Sequence, residues 1–338
     1  MNAARFEAIV SRYARLHIVV VGDFCLDRYF EIDPARQEIS IETGLPVHNI
    51  VNVRCQPGGA GTILNNLAAL GIGAIYPVGF CGDDGEGFEL RRALRARRGV
   101  IMDHFICTAE RRTFTYTKPL LIHPGKPPEE LSRLDIKNWT PTSRALQKQL
   151  SGALTAIADK TDAIILLDQV DVSETGVVTE PLLQAIAKIK HALILADSRR
   201  GLRGFPPMCF KMNRAEFAAL TGAPKDLSLE QLKDAARALA RKNDQNVFIT
   251  LAEQGILGAA PSGDIAHVPA LPLRGEIDIV GAGDAVSANL TAALAAGATL
   301  HEAITLANAA ASIVIHQLGT TGTATVEQLK AICLDKSG

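Results

Sequence analysis

Four short apolar runs stand out along the chain: "HIVVVGD" (17–23), "AIILLD" (163–168), "ALILAD" (192–197) and "VFITL" (247–251). Each is too short for an ordinary helix and rich in aliphatic residues, which predicts strands buried on both faces. Between them, apolar positions recur at helical spacing over 182–190 and 229–242. Strands alternating with helices predict parallel βαβ units and a sheet covered on both sides. Ligands of such sheets gather beyond the carboxyl ends of the strands. Three of the runs end in or lead to an acid, Asp23, Asp168 and Asp197, which places these near the expected cleft.

Two segments, 28–56 and 105–134, break the rhythm with alternating stretches such as "RTFTYTKPLLI". They predict a small second sheet, a lid inserted into a single α/β domain of residues 1–338. The stretch "HPGKPPEE" (123–130) predicts a polar loop, and the last eight or so residues are expected to fray.

Composition narrows the partners more than the fold. Lys and Arg total 35 against 36 Asp and Glu, a net charge of −1. No broad field draws the chain to nucleic acid or membrane. The one basic run, "RRALRARR" (91–98), has helical spacing and is expected to be a solvated helix face. Cys25, Cys55, Cys81, Cys107, Cys209 and Cys333 are scattered without a CxxC or Cys/His cluster, which predicts reduced thiols. The chain shows neither a basic-then-apolar leader nor an apolar run of about eighteen residues, so a cytoplasmic protein is expected.

The stretch "DIVGAGDAVSANL" (278–290) carries the candidate chemistry. Gly281, Ala282 and Gly283 lead into Asp284 and then into an apolar helical pattern. A glycine-rich turn opening a helix holds anions, because free backbone N–H groups and the helix dipole point there. A resting pyrophosphate would be repelled by the acid, the third glycine of a dinucleotide fingerprint is Val286, and no GxxxxGK[ST] motif occurs. Two readings remain. The amides could hold a phosphoryl group in transit while Asp284 takes a proton from the attacking hydroxyl. Alternatively, Asp284 is an ordinary favourable first-turn acid.

Other motifs bear on this choice. "DIVGAGDAV" resembles the DTxGAGD signature of the ribokinase-like (PfkB) carbohydrate kinases, and "PGGAGTILNNLAALG" (57–71) resembles their di-glycine turn opening a helix. "KMNRAEF" carries the family's NxxE at Asn213 and Glu216, and "FITLAEQGIL" resembles its nucleotide-binding strand and turn. The four occur in the family's order, and the likeness covers about residues 15–330. Within the family, "VVVGDFCLDRYFE", "EISIETGLPV", "EELSRLD" and the terminal "LANAAASIVIHQLGTTGTATVEQL" are similar to the kinases of D-glycero-β-D-manno-heptose 7-phosphate. A fused nucleotidyltransferase half is not expected.

The resemblance implies a three-layer α/β/α core with a mostly parallel sheet and a β lid, and ATP-dependent phosphorylation of a sugar or sugar-phosphate hydroxyl. It makes Asp284 the base and Gly281, Ala282 and Gly283 the anion hole. Asp27, Gly58, Gly59 and Thr62 would meet the sugar, and Arg133 a substrate phosphate. Asn213, Thr250, Gly255 and Asn308 would serve ATP, Glu216 would order Mg²⁺ through water, and Asp278 would open a loop for a monovalent cation such as K⁺. Lids in this family often pair, which implies a possible homodimer. Plainer roles stand beside these: Asp27 as a strand-end acid, Gly58 and Gly59 as turn formers, Asn213 with Glu216 as a helix cap and first-turn acid, Asn308 as a buried structural amide.

The chain also departs from the heptose-kinase pattern. Thr62 replaces an Asn, Ile279 replaces a Thr, "LLDQVDVSETGVVT" lacks the Lys of the corresponding segment, and Arg199 and Arg200 stand where a DPK-like segment is expected. A kinase of another sugar, an aldonate or a nucleoside, and a non-catalytic sugar- or nucleotide-binding regulator, are the alternatives carried forward.

Overall fold

The computed structural model describes residues 1–334. Part of the expected frayed end, 335–338, lies outside these residues. The rest of it is helical, within Val326–Leu334.

A nine-stranded sheet forms the body. Its order runs Ile265–Val268, Ile256–Ala259, Val247–Thr250, Cys209–Asn213, Leu193–Ser198, Ala163–Asp168, His17–Gly22, Ala74–Gly82, Phe105–Thr108. The seven strands from Val247–Thr250 to Phe105–Thr108 are parallel, and the two at the other edge are antiparallel. All four expected apolar runs are strands here, because residues such as Val19, Ile165, Leu195 and Ile249 are fully buried under helices on both faces. The helices Ala282–Ala295 and Leu300–Val314 are apolar almost all round, and their alanines let them pack together against one face. Among the described residues, no helix is long and apolar enough to cross a membrane.

Three expectations need correction. The helix expected over 182–190 is Glu180–Ile186, advanced because Pro181 fits a first helical turn. The small sheet begins at Phe24 rather than 28. Phe105–Thr108, expected in the lid, pairs in parallel with Ala74–Gly82 at the edge of the main sheet. The pattern of Ala74–Gly82 is itself broken by Pro77, a residue that mid-sheet strands ordinarily exclude.

The small sheet is mixed. Phe24–Ile32 lies antiparallel to Ile50–Gly59 and parallel to Phe114–Leu121, and Leu134–Ile136 and Glu129–Glu130 pair with the latter. Only Asp23 separates the central core strand His17–Gly22 from the lid strand Phe24–Ile32. Its carboxylate does not face the cleft. It accepts hydrogen bonds from the backbone N–H of Val177 (2.7 Å) and Gln169 (2.8 Å), and a Cβ at Gly176 would lie only 2.3 Å from it. Burial, with Asp168 nearby, pushes this carboxyl up to about 7. Asp23 therefore staples the loop after Ala163–Asp168 to the root of the lid. Asp23→Ala strands two buried amides, and the expected loss is about 2–4 kcal/mol in urea unfolding. Hydrogen exchange at Gln169 and Val177 should rise with it; unchanged protection there would remove the staple.

Candidate active site

Gly281 caps the helix Ala282–Ala295 in the left-handed region, φ 83°. A Cβ there would lie 2.5 Å from the Thr321 carbonyl oxygen, so the position tolerates only glycine. No side chain caps this helix. The Ala282 N–H, expected in the anion hole, is spent on the Ile279 carbonyl (3.2 Å), which leaves the N–H groups of Gly283 and Asp284 for an anion. Asp284 thus sits in the open first turn.

Asp284 keeps a partly exposed edge, but protein surrounds its carboxylate. Burial pushes it up to about 7; Asp197 and Asp27 add to the rise, and Lys211 opposes it. Asp27 therefore belongs to the same cluster. Its side chain tucks against Gly58, where a Cβ would lie 2.6 Å from Oδ1, and Gly59 turns the chain into the helix Ala60–Ala69 with φ 56°. Burial lifts Asp27 to about 6, against the pull of Lys118 and Arg133. The turn-forming role of the two glycines and their closeness to Asp27 thus coincide.

Sequence motifs missed one member of this cluster. Lys211, 6% exposed, donates to Asp197 Oδ2 at 2.7 Å, and the Ser287 hydroxyl lies 3.1 Å from the same oxygen. Burial opposes the ammonium, yet Asp197 outweighs it and holds the group above its ordinary range. A signal was available: a lysine inside the apolar strand "CFKMN" is a charge that must be paired.

The remaining predicted residues divide. Asn213 and Glu216 form a capping box on Arg214–Thr221: Asn213 Oδ1 accepts from Glu216 N (2.9 Å) and Glu216 Oε2 from Asn213 N (2.7 Å). The plainer reading of this pair therefore holds in the geometry. Burial raises the Glu216 carboxyl, and Asp197 and Lys211 both act on it, which keeps it within the cluster. Thr250 is the register partner of Asn213. Gly255, φ 85°, turns the chain so closely that a Cβ would lie 2.0 Å from the Val268 carbonyl oxygen. Asn308 spends its amide N–H on the Pro269 carbonyl (2.7 Å), as a structural amide would. Asp278 caps its own turn by accepting from Val280 N (3.0 Å). Thr62 is buried, with a hydroxyl that has no partner among the described residues.

No three His, Cys, Asp or Glu side chains among the described residues could hold a metal ion. Glu216 has one carboxylate oxygen outside the capping box. That donor set suits a magnesium ion carried mainly by phosphate and water, the usual way Mg²⁺ is held beside nucleotides.

The cations near Asp27 are partly committed. Arg133 pairs with Asp135 (2.7 Å) and its guanidinium lies 4.9 Å from the Tyr116 ring centroid. Lys137 joins Asp135 (3.6 Å) to Asp171 (2.7 Å), and Arg199 also meets Asp171 (3.4 Å), so a chain of ion pairs links the lid to loops of the core. Arg200 pairs with the fully buried Asp168 at 2.7 Å, while Arg28 is held by Glu86 at 2.8 Å.

A profile of pfkB family carbohydrate kinases matches residues 182–327. The bifunctional protein HldE of Pelobacter propionicus is 30% identical over 342 residues, covering 100% of this chain and 67% of that protein. HldE of Azorhizobium caulinodans is 32% identical over 310 residues, covering 90% and 61%. The chain thus spans about two thirds of the length of these relatives or somewhat less. Among solved structures, Arabidopsis thaliana ribokinase complexed with ribose and ATP superposes with a TM-score of 0.68 at 20% identity, over 93% of this chain and 97% of that one. Escherichia coli phosphofructokinase-2 in complex with potassium gives 0.72 at 18% identity, over 94% and 97%. These likenesses make the fold ribokinase-like. The profile match and the relatives show that the chain belongs to the pfkB family of carbohydrate kinases. Membership implies ATP as phosphoryl donor, typically with Mg²⁺.

A carboxyl raised by folding has a definite consequence for stability. Asp284 contributes most when protonated, below its unfolded value near 4, and that contribution is lost as pH rises through about 7. Asp284→Asn, which stays neutral, should therefore be the more stable form at pH 8, by on the order of 2–4 kcal/mol, with the gap closing toward pH 5. Thermal unfolding at the two pH values reads this directly. A gap independent of pH would mean that the carboxylate is not strained by its burial.

Proposed function

We propose that the protein transfers the γ-phosphoryl group of ATP to a hydroxyl of a sugar phosphate of the heptose 7-phosphate kind, with Asp284 as the base. The observation that carries the reading is Asp284 itself: a buried carboxyl near pKa 7, in the first turn of an uncapped helix and electrostatically coupled to Asp27. A group poised there can hold the acceptor hydroxyl and take its proton at neutral pH. The open amides of Gly283 and Asp284 receive the charge on the phosphoryl oxygens. Asp27, set against Gly58, accepts hydrogen bonds from acceptor hydroxyls. Glu216, beside Asn213, orders water on the nucleotide side, and Mg²⁺ when bound neutralises the phosphates. Gly255 lets the chain pass close to the nucleotide, with Thr250 beside Asn213. The small sheet closes over the acceptor and limits hydrolysis of ATP by water.

The phosphorylated acceptor is supported by Lys118 and Arg133, both close enough to Asp27 to act on its carboxyl, and by the HldE relatives. ADP release from a panel of free sugars and sugar monophosphates, including the heptose 7-phosphate, tests the reading on three proteins. Wild type should prefer the phosphorylated form of its best sugar. Asp284→Asn should lose about 10²–10⁴ in kcat while still binding ligands. Arg133→Ala should reduce the preference more than it changes the KM for ATP. Equal kcat/KM for phosphorylated and free forms would move the acceptor to a simple sugar, aldonate or nucleoside, and near wild-type kcat in the Asn variant would remove Asp284 as base.

The lid also carries the basis for a homodimer. Ile41 is 99% exposed, Ile39 61%, Leu45 64% and Val53 50%, all on the small sheet or the Glu38–Ile39/Pro46–Val47 ribbon beside it. Apolar side chains concentrated in this way mark an interaction surface, and a second copy covers it by pairing like with like. Sedimentation should give a dimer for wild type and a monomer for Ile41→Asp combined with Val53→Asp; a wild-type monomer at micromolar concentration counts against the pairing.

A further inference from the structure

We infer that Lys211 is a further catalytic residue, whose ammonium, fixed by Asp197, touches the phosphoryl group as it passes from nucleotide to acceptor. The inference rests on the phosphoryl transfer proposed above and adds to it a residue outside the family motifs read from the sequence.

Three observations point the same way. Lys211 is buried on the strand Cys209–Asn213, and among the described residues its Nζ donates only to Asp197 Oδ2, at 2.7 Å. An ammonium has three donors, so two remain for a ligand. The position is equally telling: a Cβ built on Gly283 would lie 3.1 Å from Nζ, so the charge rests directly against the second residue of the uncapped helix. That is where the open amides converge. Finally, one cation serves more than one carboxylate. Asp197, Asp284 and Glu216 all act on Lys211, and each belongs to a different element.

A purely structural ion pair needs none of this. Such a pair balances itself, and hydrophobic residues of similar volume can replace it with little loss. Here the pair lies between the candidate base and the nucleotide-side carboxylate, with Ser287 holding the Asp197 oxygen from the helix above (3.1 Å). Asp197 is the positioning residue: it fixes the ammonium so that no reorganisation is needed when charge develops.

In the step itself, the acceptor oxygen bonds to the γ-phosphorus as the bond from that phosphorus to the β–γ bridging oxygen breaks. ADP leaves with the electron pair, and the hydroxyl proton goes to Asp284. Lys211 stays protonated throughout and donates hydrogen bonds only. It also bears on the base. Asp197 and Asp27 push the Asp284 carboxyl up, Lys211 alone among its named neighbours pulls it down, and Asp284 in turn acts on the Cys25 thiol.

The test uses ligands that require no identified acceptor. Calorimetry measures Mg·ADP alone and Mg·ADP with aluminium fluoride, a mimic of the phosphoryl group in flight, on wild type, Lys211→Met, Lys211→Arg and the double variant Lys211→Met/Asp197→Asn. The double variant avoids an unpaired buried carboxylate and keeps the comparison folded. Fluoride should tighten ADP binding strongly in wild type, and the Met and double variants should lose about 10²–10³-fold of that gain while binding Mg·ADP nearly as before. Lys211→Arg should restore part of it. The pH at which half the gain is lost on the acid side should rise by about one unit or more in Lys211→Met. A double variant with the full wild-type gain overturns the role of Lys211 and leaves phosphoryl transfer standing. A wild type that binds no Mg·ADP overturns both.

Discussion

The site depends on keeping a carboxylate ionisable where apolar surroundings resist its charge. Asp284 opens a helix whose next residues, Ala285, Val286 and Ala288, are core. Three things oppose its neutralisation: the free amides of its own first turn, the partial positive charge of the helix start, and the ammonium of Lys211. Two more carboxylates, Asp197 and Asp27, act the other way. The outcome is a group balanced near neutrality, where a small change in the surroundings alters its protonation. Such balance is worth most to a group that must take up a proton and give it back.

The fold supplies this balance by convergence. Lys211 comes from one strand of the main sheet, Asp197 from the next, Asp284 from the helix packed over them, and Asp27 from the small sheet. None is adjacent in sequence to another. Sheet register sets the first two relative to each other, since Leu195 pairs with Cys209 and Ala196 with Phe210. Buried alanines then let the helix come close enough for Ser287 to reach Asp197. The chemistry is therefore only as well placed as the packing beneath it.

Much of this was legible in the sequence because local patterns carried it. The four apolar runs could be read as strands since each is short, continuous and aliphatic, and Gly281 to Gly283 could be read as a glycine-rich turn opening an apolar helix. Other features were hidden for identifiable reasons. Ala74–Gly82 has Pro77 in its middle, which breaks the pattern a central strand ordinarily shows. Asp23 looks, from its place at a strand end, like a cleft acid, and only the backbone amides of a segment about 150 residues away turn it inward. Lys211 stands two residues before a recognisable motif, but its partner arrives through strand pairing, which no local window contains. Asn213 with Glu216 shows the converse: a pattern that reads as capping does cap, and the role proposed for the pair at the nucleotide adds to that rather than replacing it.

The single residue between core and lid has a mechanical consequence. Gly22 ends a strand in the middle of the main sheet, Phe24 begins the lid, and Asp23 between them is tied on both oxygens. A joint clamped in this way has no slack, so the small sheet cannot swing open at its base like a door. It must bend along its length like a leaf spring, with deflection growing from the clamped end toward the Glu38–Ile39/Pro46–Val47 tip, past the irregularity in pairing at Glu31 and Ile32. Asp27 lies only four residues from the clamp, so any bending of this kind displaces it least and the tip most. On the proposed function, two duties are thereby divided along one continuous strand: a carboxylate near the clamp for the acceptor, and a compliant edge to enclose it.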